Sequence, residues 1–303
     1  MIIHTKFSRF EDTIMPVSVF IQTLNEEDNL PRCLKSVSWS DDIVVLDSYS
    51  TDRTEEIARS AGARFYQRKY DGRANNQNWA VEHIEFKHPW VYQSDADEVV
   101  TEDLASEIAE VTADASREDV VYWVRFKNML QGRWIKRSGM YPIWVPRLWK
   151  PDRIKWQRGA NPAALIDGPV GYLKGHFVHY TLSKGFEHWF AKQNKTSTYE
   201  AEETIKELKY GRIDWSGLVS RNPVKRRHTL KRLSFRMPCR PLLIFIYIYL
   251  LRAGFLDGRP GLTYCMLQTF EEYQICCKVK ELRQREKRPS DITNGNSISR
   301  PSL

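Results

Sequence analysis

The amino-acid sequence predicts an α/β protein, with a mainly parallel, twisted sheet flanked by helices and a C-terminal helical extension. Over residues 17–110, short apolar runs rich in β-branched residues alternate with segments of helical periodicity. Alternation at this spacing is typical of βαβ units, which build parallel sheets covered by helices on both faces. Polar clusters follow three of the apolar runs, where ligands of such sheets bind.

The individual elements follow from these patterns in chain order. Strands are predicted at residues 17–23, 42–47, 63–67 and 90–94, and helices around 30–37, after the turn 48–52 up to 61, and over 73–83. Gly62 is predicted to close the second helix, and acidic residues 26–28 to lie in the first turn of the first helix. After residue 115 the alternation stops. Two aromatic-rich strands are predicted at 120–129 and 140–149, followed by a long polar helix at 185–210.

The three polar clusters are predicted to meet at one crevice. They are residues 23–26, the pair Asp47–Ser48 and the acidic turn 95–98. Each follows a strand, and the carboxyl ends of parallel strands lie at the same edge of a sheet. Asp47 is expected to accept hydrogen bonds from a ligand, whereas Ser50 and Asp52 are expected to cap the next helix.

The acidic turn has the chemistry of a metal site. Asp95 and Asp97 are one residue apart after an apolar strand, and carboxylate oxygens together with substrate phosphates are the usual ligands of Mg²⁺ or Mn²⁺. The alternative is a solvated turn whose acids cap a helix. The position of the turn opposite two other polar strand ends favours the metal site.

Positive charge is concentrated in one region of the chain. The 303 residues contain 46 Lys and Arg against 38 Asp and Glu, a net charge of +8. Residues 221–240 contain no acid and eight basic residues: Arg221, Lys225, Arg226, Arg227, Lys231, Arg232, Arg236 and Arg240. Such a block attracts anions. Phospholipid headgroups are the favoured partner, since no RRM, KH or helix-turn-helix signature supports nucleic acid.

An apolar run follows the basic block. Residues 242–251 are too few to span a bilayer, which needs about 20. A helix lying in the membrane interface is predicted, with Tyr247, Tyr249 and Phe255 at the surface; the alternative is a core helix. The five cysteines have no metal-site spacing, and the N-terminus has no signal-peptide pattern. We therefore expect reduced thiols and a location on the cytoplasmic face of the membrane.

Several motifs resemble family 2 glycosyltransferases with the GT-A fold. They include residues 17–30, 43–54 and 94–98, and also Gly132-Arg-Trp, Tyr141-Pro142, Arg147-Leu148, 167–171, His179-Tyr180 and 251–259. Within that family the chain is similar, over residues 15–285, to the bacterial branch that adds glucose to the inner core of lipopolysaccharide. The resemblance implies inverting transfer of a hexose, glucose by this likeness, from a UDP-sugar to an envelope glycan or glycolipid.

The resemblance also implies roles for individual residues. It places a group of side chains at the nucleotide-sugar: Thr23, Asn25, Glu26, Asp47, Arg73, Asn78 and Asp95. It further implies that Asp97 ligates the metal and that Asp95 lies near both ribose and metal. Arg73 stands in for a phosphate-facing lysine that the family has in the third helix, where this chain has Gln77.

The chain departs from the family pattern at several positions. Tyr49 replaces a glycine in the turn after the second strand, where a positive φ is costly for other residues. Asn161-Pro162 replaces a His-Glu pair, and Ile143 replaces an Asp. An inverting transferase needs a carboxylate to deprotonate the acceptor. Glu98 and Asp167 are the candidates for this base, with Asp152 as a further one.

These observations predict four regions. They are an N-terminal extension 1–14, a catalytic domain 15–215 with nucleotide half 15–115 and acceptor half 116–215, a basic and apolar membrane-associating region 216–288, and a disordered tail 289–303. The alternative function is a catalytically weak or inactive protein of the same fold that binds glycans or membranes. A nucleotidyltransferase is disfavoured because no Gly-rich phosphate loop is present. No oligomeric state is predicted.

Overall fold

The computed structural model describes residues 14–157, 163–210, 215–217, 219–220, 229, 233–237 and 239–287. It divides into two compact units, one of residues 1–189 with 248–265 and one of residues 190–247 with 266–303. The predicted tail, the N-terminal extension up to residue 13, Asn161-Pro162 and six of the eight basic residues in 221–240 lie outside the described residues.

Residues 18–95 of the first unit have the predicted alternation of strands and helices. Its elements are β1 Ser18–Thr23, α1 Leu30–Ser36, β2 Ile43–Asp47, α2 Thr54–Ser60, β3 Arg64–Gln67, α3 Arg73–His83 and β4 Val91–Asp95. Gly62 has a φ of 77° and follows α2, as predicted. The acids 26–28 precede α1, however, so the prediction that they occupy its first turn is wrong: the helix begins at Leu30, with Pro31 in its first turn.

The rest of the first unit is mostly β-structure. It contains β5 Glu98–Val100, α4 Glu102–Ala113, β6 Val121–Leu130, β7 Arg133–Trp134, β8 Trp144–Trp149, β9 Ile154–Trp156, β10 Ala164–Ile166 and β11 Val170–Tyr180. Strands β6 and β8 correspond to the two predicted aromatic-rich strands, and β8 begins four residues later than predicted. Thr101 caps α4 by accepting a hydrogen bond from the Leu104 N–H.

A nine-stranded mixed sheet organises this unit. Its order is β3-β2-β1-β4-β8-β6-β11-β5, with β7 paired to β6. The pairs among β3, β2, β1 and β4 are parallel, and β8 runs antiparallel to both β4 and β6. The predicted α/β class with C-terminal helices is confirmed, and the parallel pairing is concentrated in the nucleotide half.

Apolar side chains cover both faces of the sheet. The larger core contains Val19, Ile21, Tyr92 and Phe177 with side chains of α1 and α4. The smaller core contains Phe20 and Trp149 with side chains of α3 and β9. Successive residues of β1 alternate between the two cores, as the period of two in a strand requires. This packing fixes the register that brings Thr23 level with Asp47, and Gln22 level with Asp95.

The segment 251–259, one of the quoted motifs, has a structural role within the first unit. The buried carboxylate of Asp257 accepts hydrogen bonds from the backbone N–H groups of Arg137 and Ser138 and from the Ser138 hydroxyl, at 2.7–2.8 Å. A side chain at Gly261 would collide with Asp257 Cβ at 2.6 Å. The close approach of the chain here explains why glycine stands at this position.

Helices dominate the C-terminal part of the chain. They are α5 Gly185–Tyr210, α6 Arg240–Phe245, the π-helical turn Ile246–Leu251 and α7 Gly258–Lys287, with 3₁₀ turns Trp215–Gly217 and Gly254–Asp257. Within the second unit, Phe190 packs edge-to-face on Phe270. Buried Arg240 pairs with Glu272 at 2.9 Å. Helix α5 spans the residues that the polar periodicity predicted.

Hydropathy of the described helices bears on the predicted membrane contact. Taken alone, none of them combines the length and apolar character of a bilayer span. The consecutive helical segments Arg240–Leu251 and Gly254–Glu286 pass the same test only when taken as a pair.

Candidate active site

Hydrogen bonds join the loops that follow β1 and β2. Buried Asp47 accepts from the Thr23 hydroxyl at 2.8 Å, from the Ser50 hydroxyl at 2.5 Å and from the Ser50 N–H at 2.7 Å. The Asn25 N–H donates to the Ser50 hydroxyl at 2.7 Å, and the Asn25 side chain accepts from the Thr51 N–H at 2.8 Å. Two of the predicted polar clusters are therefore in direct contact.

Backbone conformation in these loops is unusual. Asn25 has a φ of 55°, which asparagine tolerates better than most residues. Tyr49 has a φ of 62°, the left-handed region that a glycine would adopt without steric cost. The Tyr49 side chain is 56% exposed, so packing does not explain the residue. Asp52 holds the start of α2 by accepting from the Thr54 N–H at 3.0 Å, and it also accepts from the Glu27 N–H.

Glu26 is fixed by a cation from the end of β11. Its carboxylate lies 2.5 Å from Lys184 Nζ and accepts a hydrogen bond from the Asn29 amide at 2.9 Å. Lys184 also donates to the carbonyl of Leu24 at 2.9 Å. Burial raises the pKa of Glu26 in spite of these partners, and the Asp97 carboxylate adds to the rise. The third polar cluster is therefore close enough to act on the first.

Two arginines bind the Asp95 carboxylate. Arg73, the first residue of α3, lies 2.8 Å from it, and Arg147 on β8 lies 2.9 Å from it. Burial by itself would raise the pKa of Asp95, but the two guanidinium groups outweigh burial and hold this pKa well below its usual range. Asp95 is thus a carboxylate anion held between two cations.

Glu98 completes this charge cluster. Its buried carboxylate accepts from Arg147 and, at 3.1 Å, from the Asp95 N–H. Burial raises the pKa of Glu98, and Arg147 lowers it less than burial raises it. The Arg147 guanidinium, itself buried, therefore bridges two acids in a place from which water is largely excluded.

Asp97 lies beside a histidine. Its carboxylate lies 3.2 Å from His179 Nε2, and its carbonyl accepts from the Tyr180 N–H at 3.0 Å. His179 Nδ1 lies 2.7 Å from the Asn128 side-chain oxygen, which fixes the ring. Burial disfavours the charged imidazole, but Asp97 outweighs it and raises the pKa of His179. An imidazole and a carboxylate therefore share one edge of the crevice.

Beneath the acidic turn lies Cys33 of α1. Its Sγ is 3.5 Å from the Asp95 carbonyl and 3.6 Å from the Ser94 hydroxyl. Burial raises the pKa of this thiol to about 12, so it stays protonated and packs as a small apolar group. All five cysteines are free of disulfide bonds.

Two of the predicted site residues, Asn78 and Asp167, contact residues outside the acidic turn. Asn78 makes a double hydrogen bond with the backbone of Trp156, at 2.8 Å in each direction, and so joins α3 to β9. Asp167 follows β10, is 86% exposed and pairs with Arg153 at 3.2 Å. Neither has a hydrogen bond or ion pair with the acidic turn among the described residues. Their predicted roles in donor binding and as the base stay predictions.

Sequence reasoning did not assign a role to Arg147, His179 or Lys184. Arg147 could have been found, because an arginine inside an apolar strand almost always needs an acidic partner. His179 and Lys184 carry no such signal. They reach the site through the pairing of β11 with β5, in which His179 lies opposite Glu98, and this pairing is not local in sequence.

The residues present fit a divalent cation that is shared with a phosphate ligand. No group of three or more His, Cys, Asp or Glu side chains in the described part of the chain forms a metal site alone. Mg²⁺ and Mn²⁺ often take only one or two protein carboxylates, with phosphate and water completing the shell. Asp97 and His179 offer such a partial set, whereas both oxygens of Asp95 accept from arginine.

The family follows from comparison with known proteins. Residues 18–177, more than half of the chain, match the model of Glycosyl transferase family 2. The chain belongs to this family and is a glycosyltransferase.

Named relatives agree with this assignment. The lipopolysaccharide core biosynthesis glycosyltransferase LpsC of Rhizobium meliloti is 27% identical over 86% of this chain and 93% of its own length. An uncharacterized glycosyltransferase of Rickettsia typhi is 24% identical over 88% and 87%. Among solved structures, the mannosyltransferase PcManGT from Pyrobaculum calidifontis, in complex with GDP-Man and Mn²⁺, is 15% identical over 91% of this chain and 89% of that one, with a TM-score of 0.49.

Proposed function

We propose that this glycosyltransferase moves a hexose from a nucleoside-diphosphate sugar to an envelope glycan in a metal-dependent, inverting reaction. The observation that carries the proposal is the meeting of three polar strand ends with a charge cluster of Arg73, Arg147, Asp95 and Glu98. A glycosyltransferase donor presents a diphosphate, and positioned cations are what a departing diphosphate requires.

The loop after β1 and Asp47 are proposed to hold the nucleoside. Thr23, Asn25 and Asp47 are already ordered by mutual hydrogen bonds, so little ordering is needed when the base and ribose bind. Arg73 lies at the N-terminus of α3, is 44% exposed and is suited to a phosphate oxygen. Asp95 keeps this guanidinium aimed at the crevice.

Asp97 and His179 are the proposed protein ligands of the cation. Asp95 is proposed to position Arg73 and Arg147, with the predicted metal contact of Asp95 still open to test. A bound Mg²⁺ or Mn²⁺ would supply charge neutralisation of the diphosphate. The imidazole nitrogen makes Mn²⁺ the better match of the two, since Mg²⁺ prefers oxygen ligands.

Two acidic residues are candidates for the base that acts on the acceptor. Deprotonation of the acceptor hydroxyl is assigned to Glu98 or Asp167. Glu98 is next to the donor cluster, but both of its oxygens accept hydrogen bonds; Asp167 is open to solvent. The variants Glu98→Gln and Asp167→Asn distinguish the two candidates. Removal of the residue that acts as the base should lower kcat by about 10²-fold or more.

The donor is proposed to be UDP-glucose and the acceptor a lipopolysaccharide-core-like glycan at the cytoplasmic membrane face. The full-length likeness to LpsC supports the acceptor class. Exposed apolar side chains of the first unit support membrane contact: Leu250, Leu251, Phe255, Leu256 and Leu262 are each 40–75% exposed.

The first experiment measures the donor site. Thermal unfolding is followed with UDP, with Mn²⁺ and with both, and then UDP release from a set of UDP-sugars is assayed. Both ligands together should raise Tm more than the separate shifts combined, because they bind one site. Asp97→Asn should remove the dependence on Mn²⁺, while Asp114→Asn, an equal change at an exposed surface, should not. If UDP fails to stabilise the wild-type chain with Mn²⁺, the donor proposal is wrong.

A second candidate function rests on the surroundings of the two base candidates. Glu98 is engaged by Arg147, Asp167 is paired with Arg153, and the family's His-Glu position holds Asn161-Pro162. A weakly active protein of this fold that binds glycans or membranes would keep the donor site without a free base. UDP binding without UDP release from any UDP-sugar would favour it.

A further inference from the structure

One side of the sheet carries a cluster of aromatic rings and cations on β6, β7, β8 and β11. We name it the aromatic-basic face and define it by Trp123, Arg125 and Lys127 of β6, Trp134 of β7, Trp144 of β8 and Tyr172 of β11. Strand registers put these residues on one side, since Trp123 pairs with Tyr172 and Arg125 with Trp144. The intervening Val124 belongs to the larger core.

The aromatic rings form a continuous wall. Tyr172 is 60% exposed. Its ring stacks on Trp123 at 6.5 Å between centroids, and Trp144 meets it edge-on at 5.2 Å. Rings held against one another are rigid and offer apolar area with little loss of entropy on binding. The apolar faces of sugar rings pack well on such a wall.

Cations lie over these rings without acidic partners. The Arg125 guanidinium is 5.6 Å from the Trp144 ring, while Lys127 and Lys136 are 4.7 and 5.3 Å from Trp134. None of the three cations forms an ion pair within the described residues. Burial lowers the pKa of Lys127, and the neighbouring Arg125 lowers it further. Among the described residues positive charge is therefore concentrated here, and the Asp103 carboxylate, which raises the pKa of Lys127, opposes it less than burial and Arg125 do.

Two polar atoms of this face lack partners. Arg125 Nε and the Trp134 indole N–H are shielded from solvent and have no hydrogen bond. Buried donors of this kind normally find an acceptor. A ligand with acceptor oxygens would give these two donors a hydrogen-bond partner. A purely apolar ligand would not.

The aromatic-basic face is close to the candidate active site. Strand β8 runs antiparallel to β4, so it begins at the carboxyl end of β4, near the acidic turn. Trp144 precedes Arg147 on β8 by three residues, roughly 10 Å along a strand. A chain of a few sugars on this face would extend toward the sheet edge at which Asp95 and Arg73 lie.

We propose that the aromatic-basic face binds a negatively charged oligosaccharide, the part of the acceptor glycan away from the reacting hydroxyl. The assignment to the acceptor rests on the proposed function; the binding itself does not. Carboxylate or phosphate groups would pair with Arg125 and Lys127, and sugar rings would pack on Trp144 and Tyr172. Single-stranded nucleic acid also binds basic aromatic surfaces, but a glycosyltransferase must hold a glycan beside its donor site.

The test measures direct binding to the full-length chain without donor. The probes are hexameric oligogalacturonate, which carries carboxylates, a phosphorylated mannose oligosaccharide, neutral maltohexaose and a dT12 oligonucleotide. At least one anionic glycan should bind about tenfold more tightly than maltohexaose. Added salt should weaken the binding of that anionic glycan. The two anionic probes distinguish carboxylate from phosphate as the recognised group.

Variants separate charge from stacking. Arg125→Gln with Lys127→Gln should abolish the preference for the anionic glycan. Trp144→Ala should weaken the binding of every glycan about tenfold, whereas Trp144→Phe should keep most of the wild-type affinity. Lys155→Gln, which removes one positive charge at the exposed middle residue of β9, is the control and should have no effect. Tm of each variant shows whether it is folded.

Contrary outcomes are equally definite. Equal binding of charged and neutral glycans, unchanged binding by the variants, or tightest binding of dT12 would each overturn the proposal. The UDP thermal shift with Mn²⁺ is measured in the same variants. If the donor proposal fails, that shift is absent while glycan binding persists; if the surface proposal fails, the shift persists while glycans do not bind.

Discussion

Arg147 organises the charge cluster at the scale of single residues. Its guanidinium is 5% exposed and contacts two carboxylates that would otherwise repel each other. A buried ion pair contributes little when compared with apolar side chains of the same shape, but removing one partner leaves a charge without compensation. Arg147 is therefore expected to matter for folding as well as for the donor site.

Arg147→Met is predicted to lower the free energy of unfolding by about 3–5 kcal/mol, because Asp95 loses one of its two cations and buried Glu98 must take up a proton or stay charged without Arg147. In a Glu98→Gln background the same change should cost at least about 1 kcal/mol less, since the contribution of Glu98 is then absent. Urea unfolding of the four proteins gives both values. Equal losses in the two backgrounds would show that Arg147 acts through packing alone.

At the residue scale the sequence predicted one part of the candidate site, and the roles of those residues stay predictions. Asp95, Asp97 and Asp47 were named because each follows a local strand signal. Arg147 and His179 were not, because their roles depend on which strands pair across the sheet. Tyr49 shows the same limit in another form. Its positive φ was expected to be costly, yet the loop adopts it, because the Ser50 N–H and hydroxyl donate hydrogen bonds to the Asp47 carboxylate and fix the turn.

Elements formed by local periodicity were predicted closely, and elements formed by pairing were not. The bounds of α3 and α5 match the predicted ranges, since capping and helical period are encoded within each segment. Strands β5, β7, β9 and β10 are two or three residues long and have no visible pattern in the sequence. They exist because neighbouring strands supply hydrogen bonds, which a single sequence does not show.

Helix α7 contains an acid in an unfavourable setting. Burial, the largest cause, and the Glu272 and Glu200 carboxylates together raise the pKa of Glu271 to about 7. A carboxyl whose pKa rises on folding stabilises the protein below its unfolded value near 4.5 and loses that contribution as pH rises through 7.

Glu271→Gln is therefore predicted to raise Tm at pH 8 and to leave Tm nearly unchanged at pH 4. At pH 4 both folded and unfolded states bind the proton, so the neutral amide offers no advantage. Glu281→Gln, on the same helix and paired with Arg285 in solvent, is the matched control and should give no gain at pH 8. An equal gain at both pH values would mean that the charge of Glu271 is not the cause.

At the scale of the whole molecule, the proposals describe an enzyme whose substrates come from two phases. The donor is water-soluble and would bind the polar strand ends. A glycolipid acceptor would be presented at a membrane surface, with its charged sugars on the aromatic-basic face. This arrangement needs a part of the chain that binds lipid. The basic residues of 221–240 and the exposed side chains of Leu250, Leu251, Phe255 and Leu256 have the required chemistry.

Vesicle binding tests this arrangement. The full-length chain should float with vesicles of phosphatidylcholine and phosphatidylglycerol at 3:1, and much less with phosphatidylcholine alone, because anionic headgroups attract the basic block at about 1 kcal/mol per residue. Leu251→Asp with Phe255→Asp should reduce flotation strongly, as both side chains would have to bury a carboxylate. Leu165→Asp changes a similarly exposed leucine on β10 and is the control.

Changes of salt concentration and of protein charge then separate the electrostatic contribution to vesicle binding from the apolar one. Raising the salt to 0.5 M should release most of the wild-type protein if the basic block supplies the attraction, since screening shortens its range to a few ångströms. Arg226→Gln with Arg227→Gln should weaken flotation at low salt and leave the UDP thermal shift unchanged, because these residues lie outside the donor loops in sequence. Flotation that does not change with salt, with lipid charge or with the Leu251 and Phe255 substitutions would contradict membrane binding by this region. The acceptor would then be bound from solution.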